Sequence, residues 1–257
     1  MRRAGFSLLE MMVVVLVFTI ISGAVFQLLD VAQQRYKMES EFLDSFQGAR
    51  LALDQITRDI HVAGYPPQSI VPVAVATANP QLVAVPFAWS PGYPGAPCTV
   101  NATCAAAGGP AAFDLIIETD IDPQNNNGVE WIRYQLQGTT LMRAVVPKQA
   151  GADPAAKTLP ALVPYVENVI NNDPAQLAII KSYYPLTFLP GSGNPPAPVP
   201  LFTYAFDPPQ PGQLANTPSS IREVTITLIV QAPSRDPKTR QFRAVTLSGL
   251  ARRFNPS

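Results

Sequence analysis

Apolar positions along the chain fall into three regimes. The first is a continuous run from Phe6 to Leu29, FSLLEMMVVVLVFTIISGAVFQLL, in which Glu10 is the only formal charge. As a helix this run would be about 36 Å long, enough to cross a hydrocarbon core of about 30 Å with some tilt. The second regime is periodic. Phe42, Phe46, Ala49, Leu53, Ile56, Ile60 and Ala63 recur in alternating steps of four and three, and Glu41, Asp44, Gln47, Arg50, Asp54 and Arg58 fill the opposite face. This is one apolar stripe on a continuing helix. A coiled-coil seam gives the same pattern, but the stripe is short for one, and packing against a following sheet is the preferred reading. Gly64-Tyr65-Pro66-Pro67 ends the helix, because glycine caps it and the prolines cannot continue it. His61, in the last turn, reads as a surface or cap residue near the negative end of the helix dipole.

The third regime begins at Ser69, with short β-like runs between loops rich in Pro, Gly and Asn. Ile70–Val75 and Leu82–Phe87 are short strand candidates, and Phe113–Glu118 is a clearer one. Val129–Gln137 and Thr139–Val146 read as a hairpin about Gln137-Gly138. Ile132, Tyr134 and Leu136 share one face of it, and Arg133, Gln135 and Gln137 the other. That alternation suits a sheet covered on one side, by the N-terminal helix. Tyr165–Ile170 is a further strand candidate, Leu177–Phe188 is apolar but ambiguous, and Leu189 to Pro200 is a loop. Its Gly191-Ser192-Gly193 lacks the strand-to-helix setting of a phosphate cradle. Ile221–Gln231 alternates most cleanly, turns at Ser234–Lys238 and returns along Arg240–Leu247. The basic tail from Ala251 is placed at the surface. The expected fold is α+β: a long N-terminal helix, membrane-spanning in its first half, packed on an antiparallel β-sheet domain with long Pro-rich loops.

Composition sharpens this picture. Proline makes up 28 of 257 residues, about twice its usual share, which implies long loops between short strands. The formal net charge is zero and only 14% of residues are charged. No basic field exists to gather nucleic acid, so no nucleic-acid partner is expected. A single histidine argues against His-based triads and His-rich metal sites, and no nucleophile elbow, P-loop or dinucleotide fingerprint is present. No enzymatic activity is expected. Cys98 and Cys104 lie in the loop from Pro91 to Pro110. In an exported domain a small disulfide is their simplest state, with two free thiols or a metal pair as alternatives. Asp120, Asp122, Asn125, Asn127 and Glu130 give one segment the oxygen-rich look of a calcium loop, though its spacing departs from the EF-hand and Asn, Asp and Gly also form ordinary turns. Beyond that calcium candidate, no cofactor is expected.

Arg2 and Arg3 place the N-terminus on the cytoplasmic side, with everything after Asp30 outside. A cleaved signal peptide ending at Ser22-Gly23-Ala24 competes with this reading, but the apolar run continues through Val25, Phe26, Leu28 and Leu29. A plain anchor leaves Glu10 unexplained, since a carboxylate in a membrane helix costs about 2.5–3.5 kcal/mol and usually has a partner.

Gly5-Phe6-Ser7-Leu8-Leu9-Glu10 resembles the class III signal of type IV prepilins and pseudopilins. That resemblance implies cleavage between Gly5 and Phe6 by a prepilin peptidase, N-methylation of Phe6, and a role for Glu10 in assembly. The new amine at Phe6 could pair with Glu10 of a neighbouring subunit in a low-dielectric bundle. It divides the chain into a leader (1–5), a membrane or filament-core helix (6–29), an extramembrane amphipathic helix (30–63) and a β-rich domain (64–257). Gln27 stands where many major pilins carry a kinking proline. Over most of the chain LALDQITRDIHVAGYPP, FDLIIETDID, NNNGVEWIRYQLQGTTLMR, VENV and IREVTITLIVQ are similar to PilW-like minor pilins, and the J-type pseudopilin of type II secretion has a similar build. The resemblance implies a minor pilin that promotes pilus assembly or initiation. Its implied partners are other pilins, minor pilins and an inner-membrane assembly platform. Its implied location is the inner membrane and then a periplasmic or surface pilus. A tip adhesin or ligand-binding module is the reading from a different functional class.

Overall fold

A computed structural model describes residues 7–104, 108–124, 128–183, 197–236 and 239–255. Helix α1, Leu8–Val62, is a single element of 55 residues, roughly 82 Å from end to end at 1.5 Å per residue. It continues through the polar segment after Leu29 without a break. Gly64 stops it, with φ of +80° and its N–H donating to the Glu118 carbonyl at 2.8 Å. A residue with a Cβ is disfavoured in that left-handed conformation.

Two antiparallel sheets follow, where the hydrophobic pattern suggests one. The five-stranded sheet runs β1 (Phe87–Ala88), β2 (Asp114–Thr119), β3 (Glu130–Gln137), β4 (Thr140–Pro147), β5 (Val163–Val166), in that order. The three-stranded sheet runs β6 (Phe202–Phe206), β7 (Ile221–Arg235), β8 (Phe242–Arg252). A bridge between Val169 and Val230, with Ile170 N–H on the Ile229 carbonyl and Gln231 N–H on the Asn168 carbonyl, each at 2.9 Å, joins the two. Strand β7 thus pairs with β6 along its first half and with the segment after β5 along its second. The remaining helices are short: α2 (Val73–Ala78), α3 (Pro154–Thr158) and α4 (Pro174–Tyr183).

The stripe on α1 meets the sheets as its periodicity requires. Ala49, Leu53, Ile56 and Ile60 join one core with Leu115, Ile117, Ile132 and Tyr134 of the first sheet and Val224, Ile226 and Leu228 of the second. Complete burial of Ile56 and Ile60 stabilises the contact by about 1.5–3 kcal/mol each. Under α4 a smaller cluster gathers Ile170, Leu177, Ile180, Val199 and Ile229.

Several expectations are corrected. Val73–Ala78 is helical and Pro80–Leu82 forms a 3-10 turn, so the strand expected over Ile70–Val75 does not form, and of Leu82–Phe87 only Phe87 enters a strand. The first sheet is covered on both faces. Trp131 and Arg133 are buried on the side away from α1, where Trp131 packs with Ala88, Ile116 and Ala155. The return strand reaches Arg252, not Leu247. The basic tail is therefore partly structural: Ala251 is buried, and the Phe254 ring lies 4.9 Å from His61. Strand β6 has no counterpart in the sequence expectation.

Candidate functional site

The N-terminal half of α1 is the first candidate. Side chains from Leu8 to Leu29 are almost all exposed, with Leu8 at 78% and Phe26 at 70%. Among the described residues α1 is the one helix long and apolar enough to cross a membrane. So large an apolar surface requires lipid or other helices around it. At its start Ser7 N–H donates to Glu10 Oε2 at 3.1 Å, so the carboxylate lies against the open amides of the helix end, where negative charge is favoured. Gly5 and Phe6 lie outside the described residues.

The second half of α1 is locked to the domain by a buried carboxylate that the sequence reading did not single out. Asp59 accepts from Tyr134 Oη at 2.6 Å, Gln55 Nε2 at 2.6 Å and Arg143 Nη2 at 3.4 Å. The Arg143 guanidinium also lies over the Tyr134 and Tyr165 rings. Desolvation, with the neighbouring Asp59 charge adding to it, pushes the Tyr134 phenol far above its ordinary range.

On the far face of the first sheet are two further buried networks. Glu118, fully buried, accepts from Val85 N–H at 2.9 Å, Trp131 Nε1 at 2.6 Å and Lys148 Nζ at 2.8 Å. Burial and the same carboxylate push the Tyr93 phenol far up. Arg133 donates through Nε and Nη2 to both oxygens of Asp114, at 2.9 and 2.6 Å, and through Nη1 to the Ala155 carbonyl at 3.0 Å. These groups have the composition of acid–base machinery, yet each is occupied by partners that hold sheet, loops and α3 together. A buried charge is tolerated only when so satisfied. Strand alternation alone did not reveal them, since Glu118 and Arg133 occupy positions that read as solvated.

Asp120, Asp122 and Glu130 meet where β2 ends and β3 begins. Asp122 N–H donates to Asp120 Oδ1 at 3.1 Å and Ile121 N–H to Glu130 Oε2 at 3.0 Å. Partial burial and the nearby carboxylates push Asp120 and Glu130 above the usual carboxylate range. Asn125 and Asn127 lie outside the described residues. Among the described residues no group of three or more His, Cys, Asp or Glu side chains could hold a metal ion. The contacts seen are those of a side-chain-stabilised turn. Cys98 and Cys104 are disulfide-bonded, with Cα atoms 5.1 Å apart, and both sit in the main core. Beside the end of α1 a groove of about 560 Å³ is lined by Gln55, Arg58, His61, Tyr65, Asp120 and Phe254, among others.

A sheet domain carried on a helix whose apolar first half has no cover in the molecule fits a membrane-anchored protein. Residues 1–26 match the prokaryotic N-terminal methylation motif, which supports a type IV pilin-like or pseudopilin protein anchored in the inner membrane. No curated protein and no solved structure matches the chain.

Proposed function

We propose that this chain is a minor pilin of the type IV pilus, a structural subunit that promotes assembly or initiation after its leader is removed between Gly5 and Phe6. The observation that carries this reading is the division of α1. Its first half is bare, apolar and largely contained in the methylation motif, while its second half is fixed to the sheets. In the membrane lipid covers the bare half. In a filament the same surface packs among the equivalent helices of other subunits, which requires no change in the domain. The prepilin peptidase and an inner-membrane assembly platform act on it before that transfer.

Mass spectrometry of the mature chain tests the processing step. The expected N-terminus is Phe6 carrying one methyl group, and a chain starting at Val25 would mark a signal peptide instead. Deleting the gene tests the role, with loss of surface pili as the expected result. Normal pili with lost protein secretion would assign the J-type pseudopilin role. Normal pili with lost adhesion would assign a binding role.

A further inference from the structure

Among the described residues each sheet ends in two edge strands, and three of the four are blunted. Strand β1 has two residues and β5 has four, among them Pro164. Strand β6 has five residues and a register shift at Ala205/Phe206, and the amides of Leu201 and Phe202 bond the Ala112 carbonyl. Strand β8 is different. It has 11 residues, with an unbroken register from Glu223↔Arg252 to Gln231↔Ala244 and a shift confined to its start, before Arg235↔Phe242. It has no proline or lysine, and arginines only near its two ends. Natural edge strands usually carry such protection against further pairing.

The ladder identifies which groups face outward. On β7 the N–H groups of Thr227, Ile229 and Gln231 turn away from β8, to Leu201 O, Asn171 Oδ1 and Asn168 O. Alternation then turns Val224, Ile226, Leu228 and Val230 toward β8, and their partners Ala251, Gly249, Leu247 and Val245 back toward β7. Ala244, Thr246, Ser248 and Leu250 are left pointing their N–H and C=O groups off the edge. Among the described residues nothing pairs with these groups. Thr246 Oγ1, midway along, is buried and has no partner there.

The edge runs beside a flank of α1. Arg243 Nη1 bonds Glu39 at 2.7 Å, and a Cβ at Gly249 would come within 3.1 Å of Leu53 and 3.5 Å of Thr57. Between these points helical spacing puts Leu43, Phe46 and Arg50 on the same flank, and Leu43 is 46% exposed. An added strand would cover that apolar flank and extend the sheet.

Direction selects the occupant. Strand β8 runs parallel to α1, away from the membrane, because Arg243 lies by Glu39 and Phe254 by His61. Antiparallel pairing with β8 of a second copy would turn that copy's α1 upside down. Two chains anchored in one membrane with the same topology do not meet that way. We propose that the free edge of β8 takes an antiparallel strand from a different, co-anchored pilin-like subunit. That strand has apolar residues facing Leu43 and Phe46 and a carboxylate facing Arg50 or the exposed Arg252. The inference rests on the pilin-like reading and names the kind of partner that reading requires.

The test uses the full-length chain in its own cells. Ser248→Pro removes an outward N–H without touching the β7 ladder, which edge strands tolerate. Ser248→Lys keeps the N–H and puts a charge on the edge. Both are expected to retain the thermal midpoint of the purified chain and to lower its recovery in sheared filaments at least tenfold. A benzophenone amino acid at position 248 is expected to give an adduct with a chain that itself carries a processed prepilin N-terminus. Wild-type recovery of both variants, an adduct with a second copy of this chain, or no adduct would each overturn the proposal. The N-terminus is read in the same sample. A chain not cut at Phe6 fails the pilin reading and the proposal with it, whereas a correctly cut chain with wild-type recovery fails the edge proposal alone.

Discussion

Asp59 shows how much one side chain carries in this molecule. It is the buried carboxylate on α1, and its three partners come from α1, β3 and β4. Replacing it with alanine leaves the Tyr134 O–H without its acceptor and the Arg143 guanidinium without its carboxylate, although Arg143 Nε still donates to the Tyr134 oxygen at 3.0 Å. A lost hydrogen bond to a charged group is worth about 1.5–3 kcal/mol, and Arg143 keeps partial access to water. Asp59→Ala should therefore lower stability by about 2–3 kcal/mol, read as a lower thermal midpoint of the detergent-solubilised chain. Asp59→Asn should lose less. The tyrosines give a pH signature. Burial raises the phenols of Tyr93, Tyr134 and Tyr204 above the ordinary value of 10.0. Native chains then hold protons that unfolded chains release. Their contribution is fully present below about pH 10 and is lost as pH rises beyond it. Phenolate absorbance from these three should appear only as the chain unfolds, and the urea midpoint should fall steadily above pH 10.

At the scale of elements, the junction between helix and sheet rests on Gly64. Its positive φ and the 2.9 Å approach of Pro86 Cγ to any Cβ placed there both exclude a side chain. Gly64→Ala should cost about 1–2 kcal/mol, seen as a lower midpoint of domain unfolding with the membrane half of α1 still helical by circular dichroism. This junction was legible in the sequence, because glycine followed by two prolines has one physical meaning. So were β2, β3, β4 and β7 as strands, though only β3 and β7 alternate long enough to sort their side chains onto two faces. Strand β6 was not, since five residues between proline-rich stretches offer too short a pattern. Val73–Ala78 misled because its valines suit a strand, whereas Pro72 before it and its alanines admit a helical turn. Arg133 and Glu118 misled for another reason. A buried ion pair and a buried carboxylate look in sequence like a solvated face, and only the covering loops and α3 distinguish them. Of the candidate site, Glu10 and the cysteine pair could be named from sequence, while the Asp59 lock could not, because its partners lie 75 and 84 positions away.

Over the whole molecule, the uncovered half of α1 and the locked half do separate work. Glu10 belongs to the uncovered half and takes no part in holding the domain together. Glu10→Ala should leave the domain's thermal midpoint unchanged and reduce the chain's recovery in sheared filaments. Normal recovery would remove the amine–carboxylate pairing from the account.

Strands β7 and β8 lie lengthwise along α1, tied near its middle by Glu39 to Arg243 and Glu41 to Ser234, and at its end by His61 to Phe254. The helix itself has no interruption across its 55 residues. Tension applied to the outer loops and resisted in the membrane therefore loads the helix–sheet contact in shear. Ala49, Leu53, Ile56 and Ile60 must all slide together before any one lets go, whereas a sheet set crosswise would peel residue by residue. The same lengthwise alignment that builds the core makes the subunit a strut, able to transmit a pull without first coming apart.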